Sequence, residues 1–122
     1  MKKAVIYARH ILYRAFENSC ECQIALSKEY AMGHGYQIIG IFADEFETKQ
    51  TINPAYKKMV SDLEKAQWDV IIVDNLNLFG RNVEETIKLL RKLNAYGKSI
   101  EFIKIEPVLK SVIEYCLEVK KL

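Results

Sequence analysis

The chain carries four short apolar runs separated by segments long enough to hold a helix. The runs cover residues 4–11, 36–42, 68–73 and 100–105. Their length and their content of β-branched and aromatic residues are typical of buried strands, and they are too short for core helices. The third run is apolar on both faces, which predicts a central strand. The fourth alternates in part with charged residues, which predicts a strand at a sheet edge.

The segment after the first run predicts a helix over residues 20–32. Asn18 or Ser19 is expected to start it, because either side chain can accept a hydrogen bond from a backbone N–H of the first turn. Gly33 and Gly35 are expected to end it. The residues before this helix carry no clean periodicity and are predicted to form a loop.

Three further helices are predicted. Pro54 fits the first turn of a helix that reaches residue 67, because its missing N–H has no helical partner to lose there. After a turn over residues 74–82, a helix over residues 83–96 is expected to stop at Gly97. Pro107 is expected to open a last helix that runs to residue 122.

Strands that alternate with helices at this spacing favour parallel pairing, because a helix supplies the crossover between parallel strands. The sequence therefore predicts a single three-layer α/β domain, with a mostly parallel sheet of four or five strands flanked by helices. Residues 1–105 are expected to form the α/β core and residues 106–122 a C-terminal helix. A chain of 122 residues is long enough for one such domain.

Amino-acid composition argues against some classes of protein but does not identify one function. Hydrophobic residues make up 50% and charged residues 28% of the chain, and the net charge of +2 is too small to indicate nucleic-acid binding by itself. Three cysteines, Cys20, Cys22 and Cys116, form an odd count without a signal sequence, which predicts free thiols and a cytoplasmic location. No apolar run approaches the roughly 20 residues of a membrane span.

Charged side chains follow the predicted strands at the edge where α/β proteins bind ligands. Arg9 ends the first run and Arg81 lies beyond the third, so both are expected at the carboxyl edge, where guanidinium groups suit a phosphate. Asp44 and Glu45 follow the second run and could hold a metal, act as a base or be solvated loop acids. Because no glycine-rich phosphate loop follows a strand and no zinc-type cysteine spacing occurs, neither a cofactor nor a metal is expected.

Short motifs along the chain give a more specific indication. They are Tyr7-Ala8-Arg9, Ser19 with Gln23, Gly35-Tyr36 through Gly40, Asp44-Glu45, Pro54 through Met59, Trp68-Asp69 through Asp74, and Phe79-Gly80-Arg81-Asn82. In order and spacing these motifs resemble the N-terminal catalytic domain of the serine recombinases, the resolvase and invertase family, over about Val5 to Ile105. The resemblance implies a resolvase-like fold and a relation to site-specific DNA recombination.

The resemblance also implies which catalytic positions have changed. In this family a serine attacks the DNA phosphodiester, and several arginines stabilise the charge on the phosphoryl group. The positions that match the family's catalytic set are Arg9, Asp44 and Arg81. The serine position holds Ile11, and two arginine positions hold Asn53 and Leu78. Because isoleucine has no oxygen with which to attack phosphorus, these departures predict an inactive homologue.

Two other functions remain open from the sequence. The chain could be an active recombinase domain that uses another nucleophile, and Tyr13 and Ser19 carry the nearest hydroxyl groups. It could instead be a small domain that binds a phosphate ligand through Arg9 and Arg81. A covalent protein–DNA adduct would indicate the first function, and stabilisation by phosphate would indicate the second.

The expected partners are DNA, bound weakly and without sequence specificity, and a second copy of the chain or a related recombinase. The predicted last helix carries an apolar stripe of Leu109, Val112, Ile113, Cys116 and Leu117, which Val119 could extend. This stripe must either pair with another chain or fold back onto its own sheet. No helix-turn-helix or zinc ribbon follows it, so specific DNA reading is not expected.

Overall fold

The computed structural model of the chain describes residues 1–11, 19–46, 54–75, 83–104, 110–111 and 113–115. Within these ranges the elements are β1 (Lys3–Ile11), α1 (Cys20–Gly33), β2 (Gln37–Phe46), α2 (Pro54–Val60), β3 (Val70–Asn75), α3 (Val83–Ala95) and β4 (Ser99–Lys104). Each apolar run corresponds to one strand. The prediction of one α/β domain with a parallel sheet flanked by helices is confirmed.

The sheet has the order β2-β1-β3-β4, and all three pairings are parallel. The inner parts of β1 and β3, residues 4–8 and 70–73, are almost wholly buried. This confirms the central strand predicted from the third run and the edge strand predicted from the fourth. The chain steps from β1 out to β2 and then back across to β3. The strand order therefore reverses between β1 and β3, at the point where such sheets bind ligands.

Helices α2 and α3 cover one face of the sheet. Their apolar side chains join those of the strands in a buried cluster of Val5, Tyr7, Met59, Leu63, Trp68, Ile71, Val73, Ile87, Leu90, Leu93, Ile100 and Ile113. Val5 and Tyr7 are alternate residues of β1. Because side chains alternate along a strand, Arg9 also lies on the α2/α3 face.

Helix α1 packs on the opposite face. Its buried residues are Cys20, Gln23, Ser27 and Ala31, which recur every three or four positions. Three of these four side chains are small, so α1 can lie close to the sheet. Ala31 packs there in a second buried cluster with strand residues of β1 and β3.

The ends of α1 and α3 follow the predicted signals. Ser19 is the residue that caps α1, because its Oγ accepts a hydrogen bond from the backbone N–H of Cys22 at 3.3 Å. Gly35 and Gly97 follow the two helices with φ of 70° and 72°. Only glycine adopts this left-handed conformation without strain, which is why both helices end where they do.

The prediction that α2 reaches residue 67 is wrong, because the helix ends at Val60. Ser61 donates through both its backbone N–H and its hydroxyl to the Lys58 carbonyl, and Asp62 accepts from the Lys65 N–H. These local bonds favour turns over further helix. The apolar periodicity extends beyond the helix because Leu63, in the turn, is still buried.

Two strand boundaries also differ from the prediction. β2 extends past Phe42 to Phe46, because β1 runs on to Ile11 and pairs with it residue by residue. β3 begins at Val70 and includes Asp74, which was expected in the following turn. Asp74 is 5% exposed and lies 3.7 Å from the ammonium of Lys104 on β4.

The described part of the C-terminal region contacts the core. Residues 110–111 and 113–115 are helical, and Ile113 is 5% exposed within the cluster under α3. At Ile113 the apolar stripe therefore folds back onto its own domain. The remaining stripe residues lie outside the described residues, as does the loop predicted before α1.

Candidate functional site

The candidate site lies at the carboxyl edge of the sheet, on the α2/α3 face. β1 and β2 run in register there, and the Cα atom of Arg9 is paired with that of Asp44. The Arg9 side chain is partly buried, whereas Asp44 is only 3% exposed. The structure thus brings two of the site residues predicted from the sequence side by side.

Asp44 anchors the start of α2. Its Oδ1 accepts a hydrogen bond from the backbone N–H of Ala55 at 2.8 Å, and its Oδ2 accepts from that of Tyr56 at 3.0 Å. These N–H groups belong to the first turn of α2, where no helical carbonyl can accept them. The interpretation of Asp44 as a solvated loop acid is therefore wrong. Because both of its oxygens already accept hydrogen bonds, the carboxylate is also poorly placed to bind a metal.

Tyr7 lies two residues before Arg9, on the same face of β1, and also binds Asp44. Its hydroxyl donates to Asp44 Oδ2 at 2.8 Å, and its ring packs edge-on against Tyr56 with ring centroids 5.6 Å apart. Burial, and then the hydrogen bond to Asp44, raise the pKa of Tyr7 well above its ordinary value of 10.0, and Arg9 opposes this only in part. Tyr7 is therefore a neutral hydrogen-bond donor that fixes the carboxylate.

Gln23 holds the backbone of Arg9 from the α1 side. Its Oε1 accepts from the Arg9 N–H at 3.0 Å, and its Nε2 donates to the Arg9 carbonyl at 2.7 Å. The β1–β3 pairing runs only as far as Tyr7 and Val73, so this amide supplies the two bonds that a neighbouring strand would otherwise make. Sequence reasoning assigned Gln23 no role at the site. In the sequence, Gln23 was indicated only by its spacing from Ser19, one of the motifs that resemble the serine recombinases.

A separate group of polar residues occupies the α1 face of the same edge. His10 is 8% exposed, and its Nε2 has no hydrogen-bond partner among the described residues. Cys20 is buried, and its thiol donates to the Asp44 carbonyl at 3.8 Å. Burial and the nearby Glu45 carboxylate raise the pKa of Cys20 to about 12. The thiol therefore stays protonated at neutral pH, so Cys20 is not a reactive nucleophile.

The other predicted site residues are not placed by the structure. Arg81, Asn53, Leu78 and Tyr13 lie outside the described residues. At position 11 the backbone belongs to β1 and pairs with Phe46. Within the described ranges, no group of three or more histidine, cysteine or acidic side chains could hold a metal.

A comparison with protein families identifies the family of this domain. The family described as "Resolvase, N terminal domain" matches residues 4–114 of the chain. No curated protein matches it. The matched range begins at the second residue of β1 and includes the other three strands.

Three solved structures share this architecture. The N-terminal catalytic domain of TP901-1 integrase is 21% identical, with a TM-score of 0.69, and the match covers 98% of this chain and 95% of that one. A resolvase family site-specific recombinase from Streptococcus pneumoniae is 20% identical, with a TM-score of 0.72 and coverage of 99% and 89%. The C-terminal catalytic domain of ISC1926 TnpA, an IS607-like serine recombinase, is 22% identical, with a TM-score of 0.68 and coverage of 96% and 79%. These similarities show a shared fold.

Proposed function

The chain belongs to the resolvase N-terminal domain family, and from that premise we propose that it contacts DNA phosphates without cutting the strand. It is a homologue of the serine recombinase catalytic domain and is related to site-specific recombination. One observation carries the proposal. Arg9 is retained beside Asp44 at the end of β1, while the residue two positions later is Ile11.

Strand cleavage by this family needs a hydroxyl oxygen that attacks phosphorus and becomes bonded to it. An isoleucine side chain contains only carbon and hydrogen, so no covalent phosphoester can form at position 11. Asn53 and Leu78 stand where the resemblance places arginines. Each lost donor to the developing charge would lower the rate by a further factor on the order of 10² to 10³.

Phosphate binding makes fewer demands on the site than cleavage. A guanidinium donates two parallel hydrogen bonds to phosphate and stays charged at all relevant pH values. Arg9 is partly buried, and both of its backbone polar groups are held by Gln23, so the base of the side chain is fixed. We assign phosphate contact to Arg9 and Arg81. Asp44 is assigned a positioning role, because its carboxylate holds Tyr7 and α2.

An alternative nucleophile has little structural support. The Ser19 hydroxyl caps α1 and the residue is 8% exposed, so its oxygen would have to leave the helix terminus to attack. Tyr13 lies outside the described residues. Adduct formation at either residue is nevertheless a measurable outcome.

The proposed partners are DNA and a second copy of the chain or a related recombinase. Cys20 and Cys22 are both free thiols, which supports a reducing compartment such as the cytoplasm. In the ranges that the structure describes, no helix is long and apolar enough to cross a membrane.

The cleavage half of the proposal is tested with a supercoiled plasmid library that carries random inserts. The purified chain is incubated with the library, and SDS-resistant protein–DNA adducts are measured beside an active family recombinase on its own site. We expect no adduct for this chain. An adduct whose attachment maps to Tyr13 or Ser19 would show an active enzyme with a different nucleophile.

The binding half is tested by gel-shift titration with duplex DNA at low salt. Arg9→Ala is expected to weaken the complex about tenfold or more, because a charge-assisted hydrogen bond contributes about 1.5–3 kcal/mol. Arg9→Lys keeps the charge and loses the two-pronged geometry, so its effect should be intermediate. If wild type and Arg9→Ala bind equally, the phosphate site is wrong. If inorganic phosphate alone stabilises the wild type and duplex DNA does not bind, the small-ligand function is favoured.

A further inference from the structure

A cleft lies at the β4 edge of the sheet, two strands away from β1 and Arg9. It is formed between β4, the second half of α3 and the described residues of the C-terminal helix, and its volume is about 340 Å³. Sites that hold small molecules measure about 300–1,000 Å³ and are mostly apolar. Four apolar side chains line this cleft: Leu90, Ile100, Phe102 and Ile113. The cleft therefore has the size and the apolar lining of a small-molecule site.

Glu101 adds a carboxylate to the lining of this cleft. Its Oε1 accepts a hydrogen bond from the Tyr30 hydroxyl at 2.7 Å, and its Oε2 accepts one from the Tyr36 hydroxyl at 2.6 Å. Burial, and then the hydrogen bond to Glu101, raise the pKa of Tyr30 above its ordinary value of 10.0, so this hydroxyl stays a donor. One bond comes from α1 and the other from the residue before β2, so together they fix the orientation of the carboxylate.

The Glu101 side chain is partly buried, and it has no positively charged partner in the part of the chain that the structure describes. A carboxylate offers about four lone-pair sites to hydrogen-bond donors, and the two tyrosines use two of them. Removing a charge from water costs free energy, which an opposite charge offsets. Glu101 can therefore accept further hydrogen bonds from a cation, and a cation would offset the cost of its burial.

The other charges around the cleft also favour a cation. Glu114 brings a second carboxylate, and Asn94 lies in the last turn of α3, where the helix carries a partial negative charge. Among the described lining residues, Lys110 is the only basic one. It is exposed and forms no ion pair with a described residue, so its flexible side chain can extend into water. A positive group beside Glu101 would therefore meet a net negative surrounding.

We infer that this cleft binds a small amine, whose protonated nitrogen pairs with Glu101 and whose apolar part contacts Leu90 and Ile113. Tyr30 and Tyr36 are positioning residues, because they hold the carboxylate. The inference goes beyond the proposed function, since the cleft lies at another edge of the sheet and includes neither Arg9 nor Asp44. A neutral molecule of the same shape leaves the carboxylate without an opposite charge, and an anion is repelled by it.

The test uses phenethylamine, which is a protonated amine with an aromatic ring at neutral pH. Phenethyl alcohol has a similar shape without the charge, and phenylacetate carries the opposite charge. Each is titrated into the isotope-labelled full chain, and the backbone amide signals are followed by NMR. For the amine we expect saturable shifts that are largest at Glu101, Asn94 and Ile113. The alcohol should bind about tenfold more weakly or less, and phenylacetate should show no saturable binding.

Two outcomes of these titrations would overturn the inference. Equal affinities for the amine and the alcohol would show that the Glu101 carboxylate does not recognise the ligand. If the amine causes no saturable shifts around the cleft, the cleft is not a binding site.

A matched pair of variants tests the role of the charge. Glu101→Gln keeps the size of the side chain and removes its charge, so it should weaken amine binding about tenfold or more. Glu64→Gln makes the same change in net charge at an exposed position after α2, outside the cleft, and should bind the amine as wild type does. Equal amine affinities of these two variants would contradict the inference.

A third variant tests the cleft without changing its charge, and it remains informative if Glu101→Gln does not fold. Asn94 is exposed and lines the cleft, so Asn94→Phe should narrow the cleft and leave the core intact. Circular dichroism checks the fold of each variant. Asn94→Phe should weaken the amine and the alcohol by similar factors, and unchanged amine binding would show that the ligand does not occupy this cleft.

Discussion

Polar side chains hold the backbone at both ends of the sheet, but the two ends differ in how they use a positively charged side chain. At the amino end a buried cation, the Lys98 ammonium, is itself one of the groups that hold the backbone. At the carboxyl end Asp44 and Gln23 also hold backbone, and Arg9, beside them, is a partly exposed residue. The phosphate contact proposed above therefore lies at the carboxyl end.

At the amino end Lys98 shows this closing role. It is 8% exposed, and its ammonium donates to the carbonyls of Ala66 at 2.9 Å and Trp68 at 2.6 Å. The same ammonium lies 4.9 Å from the centroid of the Trp68 ring. Asp69 joins two strand ends, because its Oδ2 accepts from the Lys3 N–H and its carbonyl accepts from that of Ser99. The start of β3 is thereby fixed on both sides.

Of the positions at which the resemblance implies a lost catalytic group, the structure describes one, position 11. By resemblance, positions 11, 53 and 78 are the ones that have lost chemical groups, and position 11 ends β1. The groups that hold the scaffold, Tyr7, Gln23 and Asp44, are all present. The hydrogen bonds that support the carboxyl edge therefore come from residues other than the one at the position that the resemblance assigns to the nucleophile.

Asp44→Ala should have the largest effect on stability. It leaves the Tyr7 hydroxyl and two N–H groups of α2 without their acceptor, so we expect a loss of about 3–5 kcal/mol in the free energy of unfolding. Urea denaturation followed by circular dichroism measures it. Glu45→Gln, at the exposed neighbouring position of β2, is the matched control and should stay within about 0.5 kcal/mol of wild type. A loss below about 1 kcal/mol for Asp44→Ala would remove its positioning role.

Lys98→Met should have the next largest effect and tests the opposite end of the sheet. It keeps much of the side-chain volume but leaves two carbonyls without a charged donor, so we expect a loss of about 2–4 kcal/mol in the same measurement. Lys65→Met, at an exposed position, should change stability by less than about 0.5 kcal/mol. DNA binding should be unaffected in both variants at temperatures where they are folded. A stable Lys98→Met protein with weakened DNA binding would contradict the division between the two ends.

The central parts of the strands could be predicted because their residues are apolar in sequence and buried in the structure. Residues 70–73 are all apolar and all buried, and a single parallel sheet is the simplest structure that buries four such runs. Turn glycines were equally informative, since Gly35 and Gly97 need a left-handed backbone. The local sequence pattern was sufficient to predict structure where a residue's role depends only on its neighbours in sequence.

The carboxyl edge could not be predicted in the same way, because its polar residues act on parts of the chain far away in sequence. Asp44 resembles a loop acid until α2 supplies N–H groups 11 and 12 residues later. Gln23 resembles an ordinary helix residue until it meets Arg9, which is 14 positions away. Asp44 was also indicated by its place after the second apolar run, whereas Gln23 was indicated by the family resemblance alone, and neither signal gave the contacts.

Gln23→Ala should have a smaller effect on stability and a specific effect on binding. Loss of two hydrogen bonds to the Arg9 backbone should lower the free energy of unfolding by about 1–3 kcal/mol. If Gln23 acts through Arg9, Gln23→Ala should weaken DNA binding in wild type and have no further effect in Arg9→Ala. Gel-shift titration of the two single variants and the double variant measures this coupling. Additive losses would show that Gln23 has only a structural role.

The smallest effect at neutral pH should come from Cys20, whose influence appears in alkaline solution. Its pKa is about 12 in the folded protein, above the ordinary value of 9.0 that it regains on unfolding. The folded state therefore keeps a proton that the unfolded state has lost, and stability should be complete below pH 9 and fall as pH rises toward 12. Urea unfolding from pH 8 to 11 should show this fall, and Cys20→Ala should fall less between pH 9 and 10.

Buried tyrosines also make the free energy of unfolding depend on pH, so Cys20→Ala will not remove the whole alkaline loss of stability. Hydrogen bonding to Glu101, and then burial, raise the pKa of Tyr36 to about 12 from 10.0, so its contribution is lost only above pH 10. The difference between wild type and Cys20→Ala should therefore be clearest below that pH. Iodoacetamide at pH 8, with peptide mapping, gives an independent measurement: the partly exposed Cys22 should react well before Cys20. If Cys20 and Cys22 react at equal rates, the α1 face of the carboxyl edge is open to solvent. The carboxyl end would then be accessible on both faces of the sheet.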